Sequence, residues 1–147
     1  MPLDRESFRA AVFQRDGHRC VICGAREGQL DAHHIVERKL FGAAENWGYF
    51  LDNGVTVCSA VCHMRCETTE ISVEQVRGAA GISSIVLPAC LRPGLIWDKW
   101  GNEIIPDADP SGLAGMRRPG PLAQDEGCRR ALQRGGLFWT LLPMLPE

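Results

Sequence analysis

CVICGAREGQLDAHHIVERK (20–39) and LDNGVTVCSAVCHMRCE (51–67) interleave two sets of metal-binding side chains. The first set is a pair of cysteine knuckles, Cys20-x2-Cys23 and Cys58-x3-Cys62. Two knuckles separated by a loop supply the four soft ligands of a tetrahedral zinc site. Free cysteines are often simply buried, but four in two close pairs read better as ligands. Cys66, one helical turn beyond Cys62, is a rival for the fourth position. Cys90 and Cys128 stand alone and read as ordinary thiols.

The second set is His33-His34, Asn53 and His63-x3-Glu67. Residues four apart on a helix share a face, so His63 and Glu67 would present an imidazole and a carboxylate to one point. Neighbours on a strand face opposite ways, so His33 and His34 must do different jobs. One can ligate a metal while the other faces a water and a substrate. That division suits phosphodiester hydrolysis, in which a divalent cation offsets charge on the phosphate and a neutral histidine takes a proton from water. Asn53 can either tie down the histidine-bearing loop or orient an imidazole through its amide. His18 reads as a surface residue of the first knuckle. Arg38 and Lys39 follow the histidines closely enough to contact phosphate, although such pairs are commonly just solvated.

Outward from this stretch, Asp4 caps a helix over 5–15, with Phe8, Ala11, Val12 and Phe13 at helical spacing and Gly17 ending it. Residues 19–24 form a tight turn, 30–35 and 55–57 two strands, 36–52 an ordered loop, and 61–69 a short helix. Trp47, Tyr49 and Phe50 read as core or loop anchors, with base stacking as the alternative. Ser72 and Gln75 form a capping box for a helix ending near Ala80-Gly81. A strand is expected over 83–87, a hairpin over 97–105 turning at Trp100-Gly101-Asn102, a Pro/Gly-rich connector over 106–121, and a weak helix over 125–133.

The 147 residues make one ordinary domain, or a compact core with an extension. No segment resembles a signal peptide or is long enough to span a bilayer; the apolar run 137–145 is the nearest and is too short. The expected location is the cytoplasm, with no membrane association. In that compartment seven cysteines read as ligands or buried thiols rather than disulfides. The net charge of −2 argues against a strong non-specific nucleic-acid binder. Affinity for nucleic acid would have to come from a local patch, a bound metal, a protein partner or a homodimer.

DAHHI (31–35), LDNGVTVC (51–58) and CHMRCE (62–67), in that order, resemble the HNH endonucleases of the ββα-metal, or His-Me finger, group. VFQRDGHRCVICG (12–24) is similar to the segment preceding the motif in zinc-stabilised members. The resemblance covers roughly residues 8–70. It implies a small ββα-metal nuclease core stapled by a zinc knuckle pair (Cys20, Cys23, Cys58, Cys62); with the elements read above, the chain is expected to be α+β, this core over 1–71 followed by a C-terminal helix-and-hairpin extension over 72–147 with a flexible connector around 106–121. The resemblance further implies His34 as general base, His33 and His63 as ligands of a catalytic Mg²⁺, Mn²⁺ or other divalent cation with Glu67 joining them, and Asn53 constraining the base or its loop. The implied activity is metal-dependent cleavage of nucleic acid, DNA before RNA, leaving a 5′-phosphate and a 3′-hydroxyl. The alternatives are an RNA-directed or partner-dependent nuclease, or a non-catalytic zinc module that contacts nucleic acid or protein.

Overall fold

Helix α1 (Arg5–Arg15) begins where the Asp4 carboxylate accepts the Ser7 amide at 2.8 Å, and its buried stripe is Phe8 and Val12. This stripe lies across a two-stranded antiparallel hairpin in the computed structural model, which describes residues 3–143. The hairpin is β1 (Leu30–His34) and β2 (Gly54–Cys58), in a register that sets His33 opposite Val55 and His34 opposite Gly54. Gly54 is where helix and hairpin approach most closely. A Cβ there would sit 2.5 Å from Phe8 Cζ and 2.6 Å from Val12 Cγ2. Gly54→Ala is therefore expected to cost ~1–3 kcal/mol through overpacking, read as a lower denaturation midpoint; an unchanged midpoint would contradict this packing.

All five residues of β2 are buried. Asp16, just past α1, reaches into this layer and accepts the Thr56 amide at 2.8 Å, while Arg15 donates to the carbonyls of Leu51 and Gly54. After β2 the chain turns into α3 (Cys62–Glu67) and then α4 (Val73–Ala80), the latter with the full Ser72–Gln75 capping box and Gly81 in the left-handed region. Val55, Val57, Ile35, Ile71, Val73 and Val76 form the main core together with the buried cysteines.

The expected loop 36–52 holds more structure than its sequence suggests: helix α2 (Arg38–Phe41) and two short 3-10 helices. Leu40 and Phe41 turn inward with Val36 and Leu91, while Trp47 stands 46% exposed and anchors no core. No strand forms over 83–87: Val86 and Leu87 pack against the second core, and Ile85 faces outward. The 97–105 turn forms, closed by Asp98 and Asn102, and leads into β3 (Glu103–Ile104). β3 pairs not with 97–99 alone but with β4 (Arg117–Arg118), which lies inside the expected connector. The connector is ordered there because Arg117 is buried, donating to Asp98 at 2.7 Å and to Thr69 at 2.8 Å. Helix α5 (Glu126–Arg134) follows, capped by Asp125.

The result is a small α+β protein with, among the described residues, two short antiparallel sheets. Residues 72–143 are bonded to the first half at several points, including Trp100 Nε1 to the Glu67 carbonyl at 2.8 Å. The last four residues of the expected extension lie outside the described residues. No helix among the described residues is long and apolar enough to cross a membrane.

Candidate functional site

The turn after α1 delivers Cys20 and Cys23, the end of β2 delivers Cys58, and the first turn of α3 delivers Cys62. Their four sulfurs lie within 4.8 Å of one another. Cys23 Sγ and Cys58 Sγ are 3.8 Å apart, the ~3.8 Å edge of a tetrahedron whose metal–sulfur bonds are ~2.3 Å. The first sulfur of each knuckle accepts a backbone amide, Cys20 from Cys23 at 3.5 Å and Cys58 from Cys62 at 3.3 Å. Such amides favour thiolate, and the Cys62 amide leads the interactions that bring the Cys58 thiol down to about 7. Burial, and then the neighbouring sulfurs, push Cys62 the other way. The donor set, spacing and amide support fit a metal such as zinc. Cys66 stays outside the cluster: it is buried in the main core, and burial pushes its thiol up to about 12. Cys62, not Cys66, completes the four.

One residue further along α3, the second set converges. His33 from β1 and His63 and Glu67 from α3 bring ligand atoms within 4.8 Å of one another. Glu67 Oε1 stands 3.2 Å from His63 Nε2 and 3.6 Å from His33 Nδ1. The two imidazoles meet edge to face at 5.1 Å. His33 Nδ1 is buried and has no hydrogen-bond partner among the described residues, an orphaned lone pair that a cation would satisfy. Burial, then Lys99, pulls His33 down to about 4, so it is neutral near pH 7. Burial opposes ionisation of Glu67, but His33, His63 and Lys99 outweigh it and hold the carboxyl well below its usual range. Neutral imidazole and ionised carboxylate are the forms that ligate metal.

Two contributors to this cluster went unread in the sequence. Asp31, two residues before His33 and on the same strand face, accepts from His63 Nδ1 at 2.8 Å and from Ser59 Oγ at 2.5 Å. Asp31 holds Nδ1–H and Glu67 faces Nε2, and the hydrogen bond to Glu67 leads the interactions that raise the His63 pKa, so a cation bound here would take the place of a proton on Nε2. Strand alternation carried the signal, since Asp31 and His33 are two apart. Lys99 had no such signal. It comes from the 97–105 turn, is almost wholly buried, and donates to the His34 carbonyl and to Glu37, both at 3.0 Å, with Glu67 Oε2 at 4.0 Å.

His34 faces away from His33. It stacks on Phe8 at 4.7 Å and meets Tyr49 edge-on at 5.0 Å. Burial, then Lys99 and Arg38, bring it to about 4, so it too is neutral near pH 7. Its Nε2 is buried and unpartnered among the described residues, which leaves Nδ1 as the nitrogen able to meet a water. His34 and His63 share a cleft of about 320 Å³ with Arg5, Arg9, Arg38 and Tyr49. Arg5 and Arg9, one helical turn apart on α1, were not anticipated as site residues. Arg38 donates to the Tyr49 hydroxyl at 3.2 Å. Lys39 points elsewhere and pairs with Asp125 at 3.2 Å.

Asn53 is fully buried and touches neither histidine. Its Oδ1 accepts the Val36 amide at 3.0 Å, and its Nδ2 donates to the carbonyls of Val36 and Gly48 at 3.1 and 3.2 Å. Of the two roles open to it, the structure shows the tie: Asn53 pins both ends of the loop that leaves His34. No protein-family model, curated protein or solved structure matches the chain, so its function is read from this geometry.

Proposed function

We propose that the β1–β2–α3 unit is a ββα-metal nuclease core and that the protein hydrolyses phosphodiester bonds in nucleic acid, with DNA as substrate. The observation that carries this reading is a single cleft, rimmed by three arginines, onto which both His34 and His63 open, while His33 and Glu67 converge with His63 into one set of ligand atoms. Cys20, Cys23, Cys58 and Cys62 would hold a structural zinc that joins the turn after α1, the end of β2 and the start of α3. His33, His63 and Glu67 would hold the divalent cation, which when bound supplies Lewis-acid stabilisation of charge on the phosphate and the leaving oxygen. Two imidazoles and one carboxylate favour Mn²⁺ or Ni²⁺ over Mg²⁺ in affinity.

In the reaction, His34 Nδ1 accepts a proton from water as the water oxygen bonds to phosphorus. The bond from phosphorus to the 3′ oxygen breaks and that oxygen takes a proton from solvent, leaving a 5′-phosphate and a 3′-hydroxyl. The stacking of His34 on Phe8 and the Asn53 tie hold the imidazole and its loop in place, so the base does not have to be ordered when substrate arrives. Arg5, Arg9 and Arg38 would pair with the flanking phosphates. They give a local patch to a chain whose net charge is −2.

Replacing all three arginines by alanine is expected to weaken duplex binding and to flatten its salt dependence, the log–log slope falling by about 0.9 for each phosphate no longer neutralised. Lys39→Ala, already paired with Asp125, should change the slope less. Anisotropy titrations across a salt series read both; an unchanged slope in the triple variant would place the binding surface elsewhere. Supercoiled plasmid and labelled RNA, each incubated with Mg²⁺, Mn²⁺ or Ni²⁺, test the function itself. Cleavage of plasmid supports the reading, cleavage of RNA alone moves it to the RNA-directed alternative, and cleavage of neither with any metal rejects it.

A further inference from the structure

A second cleft, of about 650 Å³, lies between α4 and the segment 82–97. Its wall is largely apolar, built by Val73, Ile82, Leu87, Leu95 and Trp97. One charged side chain is sunk into it. Arg77 is only 8% exposed, and its Nε and Nη2 are buried with no hydrogen-bond partner among the described residues. The other deeply buried cations differ in this respect. Lys99 is paired with Glu37 and Arg117 with Asp98, whereas no carboxylate among the described residues lies within ion-pair distance of Arg77. Glu74, one turn earlier on α4, lines the same cleft but makes no such pair.

A guanidinium stays charged in proteins, and burying it unpaired is costly. Arg77 lines the cleft and belongs to none of the three hydrophobic core clusters. A volume of this size falls within the ~300–1,000 Å³ of small-molecule sites, whose usual form is an apolar wall with a few placed polar groups. The planar fork of Arg fits a carboxylate through two parallel hydrogen bonds. A single cation with Glu74 nearby matches one negative charge better than two, which favours a carboxylate over a phosphate monoester.

We propose that this cleft is a binding site for a small monocarboxylic acid with an apolar body, its carboxylate on Arg77 and its body against Leu87, Leu95 and Trp97. The site is separate from the His34 cleft, and its occupancy does not depend on nuclease activity.

The test uses the full-length, metal-loaded protein and two probes, decanoate and 2-naphthoate, each compared with its primary amide. The amide has nearly the same shape and lacks the charge. Calorimetry is run alongside amide chemical shifts of Gly78 and Gly94, which line the cleft. At least one acid is expected to bind one per chain, roughly tenfold or more tighter than its amide, with shifts centred on those glycines. Arg77→Met, which keeps the length and removes the charge, should erase the preference for the acid. If acid and amide bind alike, or neither acid binds at millimolar concentration, or the shifts centre elsewhere, the proposal is overturned. Should Arg77→Met fold poorly, the acid–amide comparison on the wild-type protein decides alone.

Discussion

Cys23→Ser is expected to release one zinc per chain and to abolish cooperative folding. The four cysteines tie together three short pieces of chain: a turn, the end of a five-residue strand and the first turn of a six-residue helix. None of these is long enough to persist alone. Structural zinc supplies on the order of 10 kcal/mol of apparent free energy in small domains, comparable with the entire stability of a typical domain at about 5–15 kcal/mol. Because His63 follows Cys62 directly, loss of the zinc should also disperse the His33–His63–Glu67 cluster. Metal analysis and thermal unfolding of wild type and variant check this. A metal-free protein that unfolds at the wild-type temperature would contradict it. Cys66→Ser, outside the cluster, should keep its zinc.

His34→Ala is expected to lower the rate of cleavage by roughly 10²–10⁴-fold, the usual contribution of one general base, while leaving Mn²⁺ affinity nearly unchanged. His63→Ala and Glu67→Ala should instead weaken Mn²⁺ binding itself, and excess Mn²⁺ should recover part of the activity of His63→Ala. The separation follows from β1, which turns His33 into the ligand cluster and His34 towards Phe8 and Tyr49. Calorimetric titration of the three variants with Mn²⁺ reads it. Equal loss of Mn²⁺ binding in His34→Ala and His63→Ala would remove the distinction between base and ligand.

Much of this site was legible because its signals are local. The knuckles, the His pair and the His-x3-Glu spacing each lie within a few residues, and the strand and helix periods say which side chains share a face. Helix α1 and the capped α4 were legible for the same reason: Asp4 and Ser72 are caps whose partners lie three residues away. What could not be read depends on which surfaces meet. Arg5 and Arg9 are exposed on α1 and become cleft residues only because Phe8 seats that helix against β2. Lys99 sits 65 positions from the carbonyl it reaches on His34, and no spacing rule spans that distance. The strand expected over 83–87 failed for the complementary reason. Ile85-Val86-Leu87 has the composition of a strand, but composition does not say which partner a segment meets, and here Val86 and Leu87 pack on a core without pairing to a sheet. Arg117 shows the same effect in reverse. A buried ion pair with Asp98 orders a segment whose Pro and Gly content reads as a connector.

The proposed nuclease chemistry meets its most direct test in the cleavage of supercoiled plasmid by zinc-loaded wild-type and His34→Ala protein, with Mn²⁺ added or withheld. The expected result is nicked or linear product from the wild type only when Mn²⁺ is present, and at least about 100-fold less from His34→Ala under the same conditions. Cleavage by His34→Ala at the wild-type rate, or product formed equally well without Mn²⁺, would contradict it.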